Sequence, residues 1–323
     1  MPQFPALRLA AALLIGLLTS LPGVAADCPA PLAPPTAQQV AAAQQAARDR
    51  GVLWRLTKDG HSSWLYGTLH VGQLDWMFPG PRLLDALRES DVVALEIDLS
   101  DPAVMQGFVA GLQALVRREA SHPLPAELRQ RLAAAARAEC LPPEALASQP
   151  QALQVTTLSL AAARRDGLEA AYAQEALLTT LAQRAGKPLV SLETAQIQLQ
   201  ELAPDDPAET LELVRQSLDE LASGSARQQM RQLAQWWQAG RLDRLSDYEA
   251  WCHCKPGDAD YKQLQRMNDR RNPGMADGIT TLHNQGKRVL AAVGSLHMTG
   301  PQALPTLLQA RGFVVERVQW ATE

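Results

Sequence analysis

The sequence is poor in aromatic residues, cysteine, histidine and net charge. Only 5% of its 323 residues are aromatic, and it holds 4 Cys and 6 His. So few aromatic side chains argue against a stacking platform for bases or sugars. The net charge is -4, so the chain lacks the basic field with which a general nucleic-acid binder collects phosphates. We therefore expect no nucleic-acid partner.

The composition is otherwise that of a globular protein. Hydrophobic residues make up 46% and charged residues 20% of the chain, which excludes a disordered, collagen-like or low-complexity protein. Motifs of several enzyme classes are missing: the sequence has no G-x-S-x-G, HExxH, P-loop or GxGxxG pattern. Their absence argues against a serine hydrolase, a zincin and a nucleotide-dependent enzyme.

Residues 1–26 are typical of a secretory signal peptide. One positive charge precedes the short apolar run Leu9–Leu18, and small residues occupy positions -3 and -1 of Val24–Ala26. The run is too short for a membrane anchor. Asp27 argues against a lipoprotein, because a small residue is needed directly before Cys28. We predict cleavage after Ala26, a periplasmic or secreted protein, and no stable membrane anchor after cleavage.

Export to an oxidising compartment predicts that the cysteines are paired. The candidates are Cys28, Cys140, Cys252 and Cys254, and the sequence leaves all three connectivities open. An alternative is that Cys252-His253-Cys254 belongs to a metal site, but zinc sites space their Cys pairs more widely and no second Cys/His pair follows. A redox function is disfavoured because no C-x-x-C is present.

Predicted strands near both ends of the chain enclose two helical blocks. The strands are expected at 52–56, 63–66, 91–97, 188–192, 288–293 and 313–318, with helices at 81–89 and 304–310. The blocks at about 101–186 and 194–286 are rich in helix formers. We therefore predict an α/β fold, with a central mixed sheet built from N- and C-terminal strands and large helical insertions. Residues 27–50 form a lead-in segment, and 51–323 form a single domain.

A strand–GxxH–helix–strand unit occurs twice, which suggests pseudo-symmetry. Gly67-Thr68-Leu69-His70 and Gly294-Ser295-Leu296-His297 each follow a predicted buried strand. Ligands of α/β sheets bind at the carboxyl ends of strands, and glycine lets the backbone approach a ligand closely. Two neutral imidazoles on rigid strand ends suit a divalent metal. The alternative is that each His is a satisfied interior residue.

Two carboxylates also follow predicted strands. Glu96 closes an apolar run, where a buried carboxylate is unfavourable unless it is paired or metal-bound. It is therefore a candidate metal ligand or general base, with a surface-pointing strand end as the alternative. Glu193 either supports the same site or caps the following helix. Arg271 and Asn272 are candidates for binding a substrate carbonyl or carboxylate, although helix termination before Pro273 also explains them.

These motifs resemble those of the TraB/GumN family. The matching segments are 64–72 (WLYGTLHVG), 94–98 (ALEID), 192–194 (LET), 271–272 (RN) and 292–300 (AVGSLHMTG), so the resemblance spans about 52–320. The family is related to the TIKI metalloproteases, which use two GxxH motifs and a glutamate with a divalent metal. It is similar in fold to the erythromycin-esterase/ChaN-like group. The resemblance implies that His70, Glu96 and His297 form the metal site.

The sequence thus predicts an exported metal-dependent hydrolase, with a peptidase as one candidate. His70, Glu96 and His297 would hold Mn, Co or Zn and activate water, while Glu193, Arg271 and Asn272 would shape the surroundings for a peptide or small-molecule substrate. The alternative function is a non-catalytic periplasmic binding or envelope-maintenance protein that uses the same pocket. The oligomeric state stays open.

Overall fold

The computed structural model describes residues 28–247, 250–251 and 257–320. The predicted signal peptide and two of the four cysteines, Cys252 and Cys254, therefore lie outside the described residues. Within the described part of the chain, no helix combines the length and the apolar character that a membrane span requires.

The predicted α/β fold is confirmed, with helices filling both predicted insertions. The strands are β1 (Val52–Lys58), β2 (His61–Thr68), β3 (Val92–Leu95), β4 (Leu189–Ser191), β5 (Val289–Gly294) and β6 (Val314–Arg317). The α-helices are α1 (Ala37–Gln45), α2 (Pro81–Glu89), α3 (Pro102–Glu119), α4 (Ala126–Ala138), α5 (Gln151–Ala163), α6 (Gln174–Arg184), α7 (Ala195–Leu202), α8 (Pro207–Ser223), α9 (Ser225–Gln238), α10 (Leu242–Leu245), α11 (Ala259–Leu264), α12 (Asn272–Asn284) and α13 (Leu304–Ala310). A π-helical turn, Gln265–Asp269, precedes α12.

The six strands form one mixed sheet in the order β4-β3-β5-β2-β1-β6. Its first four strands are parallel, and β1 pairs antiparallel with both β2 and β6. The sheet joins strands from both ends of the chain, because β5 lies between β3 and β2. The carboxyl ends of the four parallel strands meet at one edge, where a ligand site is expected.

Apolar side chains cover both faces of the sheet. Leu53, Val93 and Leu290 pack with α2, α6 and α9 in one core cluster. Their chain neighbours Trp54 and Ala94 pack with α12 and α13 in the other. This alternation follows from the two-residue period of a strand, and it buries the parallel strands on both faces.

The two helical insertions share a third core. Leu128, Leu132 and Leu158 of the first insertion pack against Val214 and Leu218 of the second. The insertions are separated in sequence by β4, yet they bury their apolar stripes against each other. Helices α4, α5 and α8 thus form a common layer beside the sheet.

A disulfide joins Cys28 to Cys140. It ties the lead-in segment to the end of α4, across a sequence separation of 112 residues. Arg164 adds a hydrogen bond from its Nη2 to the carbonyl oxygen of Ala30. The expected pairing of cysteines is thus present for these two.

Replacing Cys140 with serine is expected to lower the free energy of unfolding by about 2–4 kcal/mol, since a disulfide that closes a long loop restricts the unfolded chain. Urea denaturation of the variant and of the wild type measures the difference. The wild type in excess reductant should match the variant. A loss below about 0.5 kcal/mol would show that the crosslink adds little to the fold.

Candidate metal site at the sheet edge

The two GxxH motifs lie side by side at the carboxyl edge of the sheet. Strands β2 and β5 are parallel neighbours, with Thr68 paired to Gly294. The Ser295 hydroxyl donates a hydrogen bond of 2.7 Å to the carbonyl oxygen of Thr68, which links the motifs directly. His70 and His297 each come just after their strand and are therefore held at the same edge.

His70, Glu96 and His297 converge around Gly294. A Cβ atom built on Gly294 would lie 3.2 Å from Glu96 Oε1, 3.4 Å from His297 Cδ2 and 3.5 Å from His70 Nε2. The predicted strand 91–97 ends earlier than expected, at Leu95, so Glu96 turns into the site directly after β3. Glycine at position 294 leaves open the space that these three side chains face.

Replacing Gly294 with alanine is expected to weaken divalent-metal binding by about 10-fold or more, in the range of changes close to a metal's ligands. The added methyl group would enter the space between the three side chains, while the backbone angles of Gly294 (φ -51, ψ 139) suit alanine. Metal titration measures the effect. Gly274→Ala is the matched control, because its Cβ would meet nothing within 4 Å. Equal affinities in the two variants would contradict the placement of the site.

Gly67, the glycine of the first GxxH motif, lies in the packed scaffold and does not border the space beside Gly294. A Cβ on Gly67 would lie 2.6 Å from Val52 Cγ2 and 2.9 Å from Ser295 Oγ, so glycine there permits close packing of β1, β2 and the second motif. The indole Nε1 of Trp237 also donates a 2.8 Å hydrogen bond to the Gly67 carbonyl. Gly67 shapes the scaffold behind the site.

Glu96 is buried, and both of its oxygens accept hydrogen bonds. Oε1 accepts from the Gly294 backbone N–H at 2.6 Å, and Oε2 accepts from Arg271 Nη2 at 2.5 Å. Burial raises the pKa of Glu96, but its neighbours, among them the Arg271 guanidinium and the Gly294 backbone N–H, outweigh it and hold the pKa below its usual range. The carboxylate is therefore ionised.

Arg271 joins Glu96 to Glu193. Its Nε lies 3.0 Å from Glu193 Oε1, its Nη2 lies 2.6 Å from Glu193 Oε2, and its Nη1 donates to the carbonyl oxygen of Met267. Arg271 and Glu193 are 5% and 7% exposed. The guanidinium therefore contacts two buried carboxylates, and through it Glu193 is joined to Glu96.

Asn272 determines which nitrogen of His297 carries the proton. Its Nδ2 donates to the carbonyl oxygens of His297 and Gln302, at 3.1 and 2.8 Å. Its Oδ1 is therefore the acceptor that faces His297 Nδ1 at 2.6 Å, so Nδ1 carries the hydrogen. Burial lowers the pKa of His297 to about 3. The ring is neutral, and the lone pair of Nε2, 3.6 Å from Glu96 Oε1, faces the site.

Glu175 is a site residue that sequence reasoning missed. It lies in the first turn of α6, and its Oε1 is 3.2 Å from His70 Nδ1. The charge of Glu175 raises the pKa of His70 above its ordinary value. The His70 side chain is 57% exposed and is the accessible member of the group. No sequence signal distinguishes Glu175 from the other glutamates of the helical block.

The donor chemistry of the group fits a divalent ion. Imidazole nitrogens suit Zn²⁺ and Co²⁺, and a carboxylate oxygen also suits the harder Mn²⁺. Glu96, Glu175 and Glu193 bring three carboxyl groups to the neighbourhood of Arg271 and the two imidazoles. Among the described residues, however, no three His, Cys, Asp or Glu side chains already stand at the spacing of a complete metal site. Arg271 and Gly294 hold the Glu96 oxygens instead.

Comparison with known proteins shows what the chain is similar to. The family model of the TraB/PrgY/gumN family matches residues 52–317. A protein of Escherichia coli (strain K12), described as "Uncharacterized protein YbaP", is 24% identical over 272 residues, which cover 80% of this chain and 97% of that protein. A protein of Shigella flexneri with the same description matches equally. No solved structure matches the chain.

Proposed function

The chain belongs to the TraB/PrgY/gumN family, and we propose that it is an exported, metal-dependent hydrolase whose first candidate substrates are peptides. The convergence of His70, Glu96 and His297 around Gly294 carries this proposal. Metal sites that catalyse hydrolysis use few protein ligands and leave positions open for water and substrate. A two-imidazole, one-carboxylate set at an accessible sheet edge has that character.

In this proposal His70 and His297 hold the ion through Nε2, and Glu96 contributes Oε1. When bound, the ion supplies Lewis acidity towards water and towards the substrate carbonyl. Glu96 is assigned as a ligand because its Oε1 lies with both imidazoles around the position of a Gly294 Cβ. Arg271 and Asn272 keep Glu96 and His297 in place from behind, so the substrate approaches from the side of the exposed His70.

Export is supported by two features of the N-terminal region. The predicted signal peptide ends at Ala26, and Cys28, two residues further on, forms the disulfide with Cys140. Structural disulfides persist in oxidising compartments and are rare in the cytosol. Edman sequencing of the protein recovered from cell fractions would test both the cleavage site and the location. A mature chain that begins at Asp27 outside the cytoplasm is the expected result.

Metal content and hydrolysis test the central claim. The mature protein is loaded with Mn²⁺, Co²⁺ or Zn²⁺, dialysed and analysed for bound metal, and is then assayed against a panel of peptides and esters. We expect about one ion per chain, turnover that a chelator removes, and recovery when metal is restored. Absence of bound metal under every loading condition would overturn the proposal.

A non-catalytic binding protein is the second candidate. The contacts of Arg271 and Gly294 with Glu96 favour it, since they leave the described residues without a complete three-ligand set. Tight metal binding without turnover across the whole panel would support this candidate against the hydrolase.

A further inference from the structure

The two imidazoles of the site are held from behind by different groups. His297 Nδ1 meets the neutral amide oxygen of Asn272, whereas His70 Nδ1 meets the carboxylate of Glu175. In both rings the nitrogen that faces away from Gly294 has an acceptor. A histidine that binds a metal through Nε2 needs this arrangement, because an acceptor at Nδ1 fixes the tautomer and the orientation of the ring.

Glu175 is itself fixed by neighbours that favour its charged form. The Thr68 hydroxyl, at the end of β2, donates a hydrogen bond to Glu175 Oε1, the same oxygen that faces His70. Glu175 also lies in the first turn of the 11-residue helix α6, where the helix dipole stabilises a negative charge. Burial raises the pKa of Glu175, but the His70 charge and the hydrogen bonds from His70 and Thr68 lower it below its ordinary value.

The contact with Glu175 also restricts the His70 ring, which is much more exposed than the His297 ring. His297 is 3% exposed and is confined by packing, whereas more than half of the His70 side chain is exposed. An exposed ring can rotate and can carry its proton on either nitrogen. Thr68 and His70 are two residues apart, so Glu175 connects the ring to the end of its own strand.

We propose that Glu175 is a positioning residue that holds the His70 ring with Nδ1 protonated and the Nε2 lone pair directed at the space beside Gly294. This inference rests on the proposed function, because it assigns to Nε2 the task of binding a divalent ion. Glu175 itself does not touch that space. It acts through His70, and it makes the imidazole a stronger donor because a carboxylate at Nδ1 increases the basicity of the ring.

Co²⁺ binding by a graded series of variants tests the proposal. Glu175→Gln keeps an acceptor without the charge, and Glu175→Leu removes both. We expect Co²⁺ affinity, followed by visible absorption in competition with a chelator, to fall by about 10-fold and about 100-fold respectively. Glu139→Gln is the matched control: Glu139 is likewise a partly buried carboxylate of the first helical insertion, but its partner is Arg165 and not a histidine of the site. Its affinity should stay within about twofold of the wild type, and unchanged affinity in both Glu175 variants would overturn the proposal.

The tautomer of His70 provides a second measurement. It would not change if Glu175 only stabilised the fold. In the metal-free protein at alkaline pH, where His70 is neutral, long-range ¹H–¹⁵N NMR should show Nδ1–H in the wild type. Glu175→Leu should shift the ring towards Nε2–H, the form that free imidazole side chains favour in water. If the leucine variant does not fold, Glu175→Ala gives the same test, because it also removes the acceptor from His70 Nδ1. In Glu175→Gln, which keeps an acceptor, the protonated Nδ1 should persist.

The two proposals fail separately. If the wild type binds none of Co²⁺, Zn²⁺ and Mn²⁺, the metal-dependent function is lost, and the NMR measurement alone decides whether Glu175 positions His70. If the wild type binds Co²⁺ and the His70 tautomer is unchanged when the acceptor is removed, in Glu175→Leu or Glu175→Ala, the positioning role is lost while the metal site stands.

Discussion

Replacing His297 with alanine is expected to weaken divalent-metal binding by more than about 100-fold, since loss of even an outer-shell partner typically weakens it by 10–100-fold. Hydrolysis should disappear with the metal. His70→Ala is expected to act in the same direction. The measurement is a Co²⁺ or Zn²⁺ titration of each purified variant, followed by the peptide and ester assay at saturating metal.

Two further variants show whether a loss of metal binding comes from the loss of a ligand or from a damaged fold. His122→Ala removes an exposed histidine whose Nδ1 contacts only the neighbouring Ser121 hydroxyl among the contacts described, so metal affinity should be unchanged. His297→Gln keeps a polar side chain beside Asn272 and separates loss of a ligand from loss of packing. If His297→Ala and His297→Gln are both folded and bind metal as tightly as the wild type, His297 is not a ligand.

Replacing Arg271 with methionine is expected to lower the free energy of unfolding by about 3–5 kcal/mol, the usual loss when one partner of a buried ion pair is removed. Arg271 is the shared partner of Glu96 and Glu193, and both carboxylates would be left in a buried site without their cation. Arg271→Lys retains the positive charge but lacks the planar guanidinium that contacts both glutamates. We therefore expect a smaller decrease in the free energy of unfolding. Urea denaturation of the metal-free protein measures both.

A double variant isolates the electrostatic part of this effect. Arg271→Met with Glu193→Gln removes one negative charge together with the positive one, and should recover part of the stability lost in Arg271→Met alone. A loss below about 1 kcal/mol in the single variant would contradict the buried pairing, because exposed ion pairs contribute no more than that.

The sheet and the positions of the GxxH motifs could be predicted because both depend on local patterns. Apolar runs such as Val92–Leu95 and Val289–Gly294 have the length of buried strands, and they fold as β3 and β5. Both GxxH motifs follow their strands, as the sequence pattern predicts, but the parallel pairing of β2 with β5 was not predicted. Element ends were less well determined: β2 begins two residues before the expected Ser63.

Contacts between distant segments were not predictable in the same way. Glu175 meets His70 only because α6 packs beside the end of β2, and a glutamate in a helical segment carries no sign of such a contact. Arg271 was a candidate for binding a substrate group, and the sequence does not show that it contacts both Glu96 and Glu193. The shared core of the two insertions depends on helix packing across β4, which no local pattern encodes.

The pairing of β2 with β5 also decides when the candidate site can first assemble. His70, Glu96 and Glu193 are all made before β5, but His297 follows β5 near the end of the chain. Synthesis proceeds from the amino terminus, and contacts between distant segments form late in folding. A growing chain that stops before Val289 therefore carries three of these side chains and lacks His297. The candidate site is complete only when the last parallel strand enters the sheet.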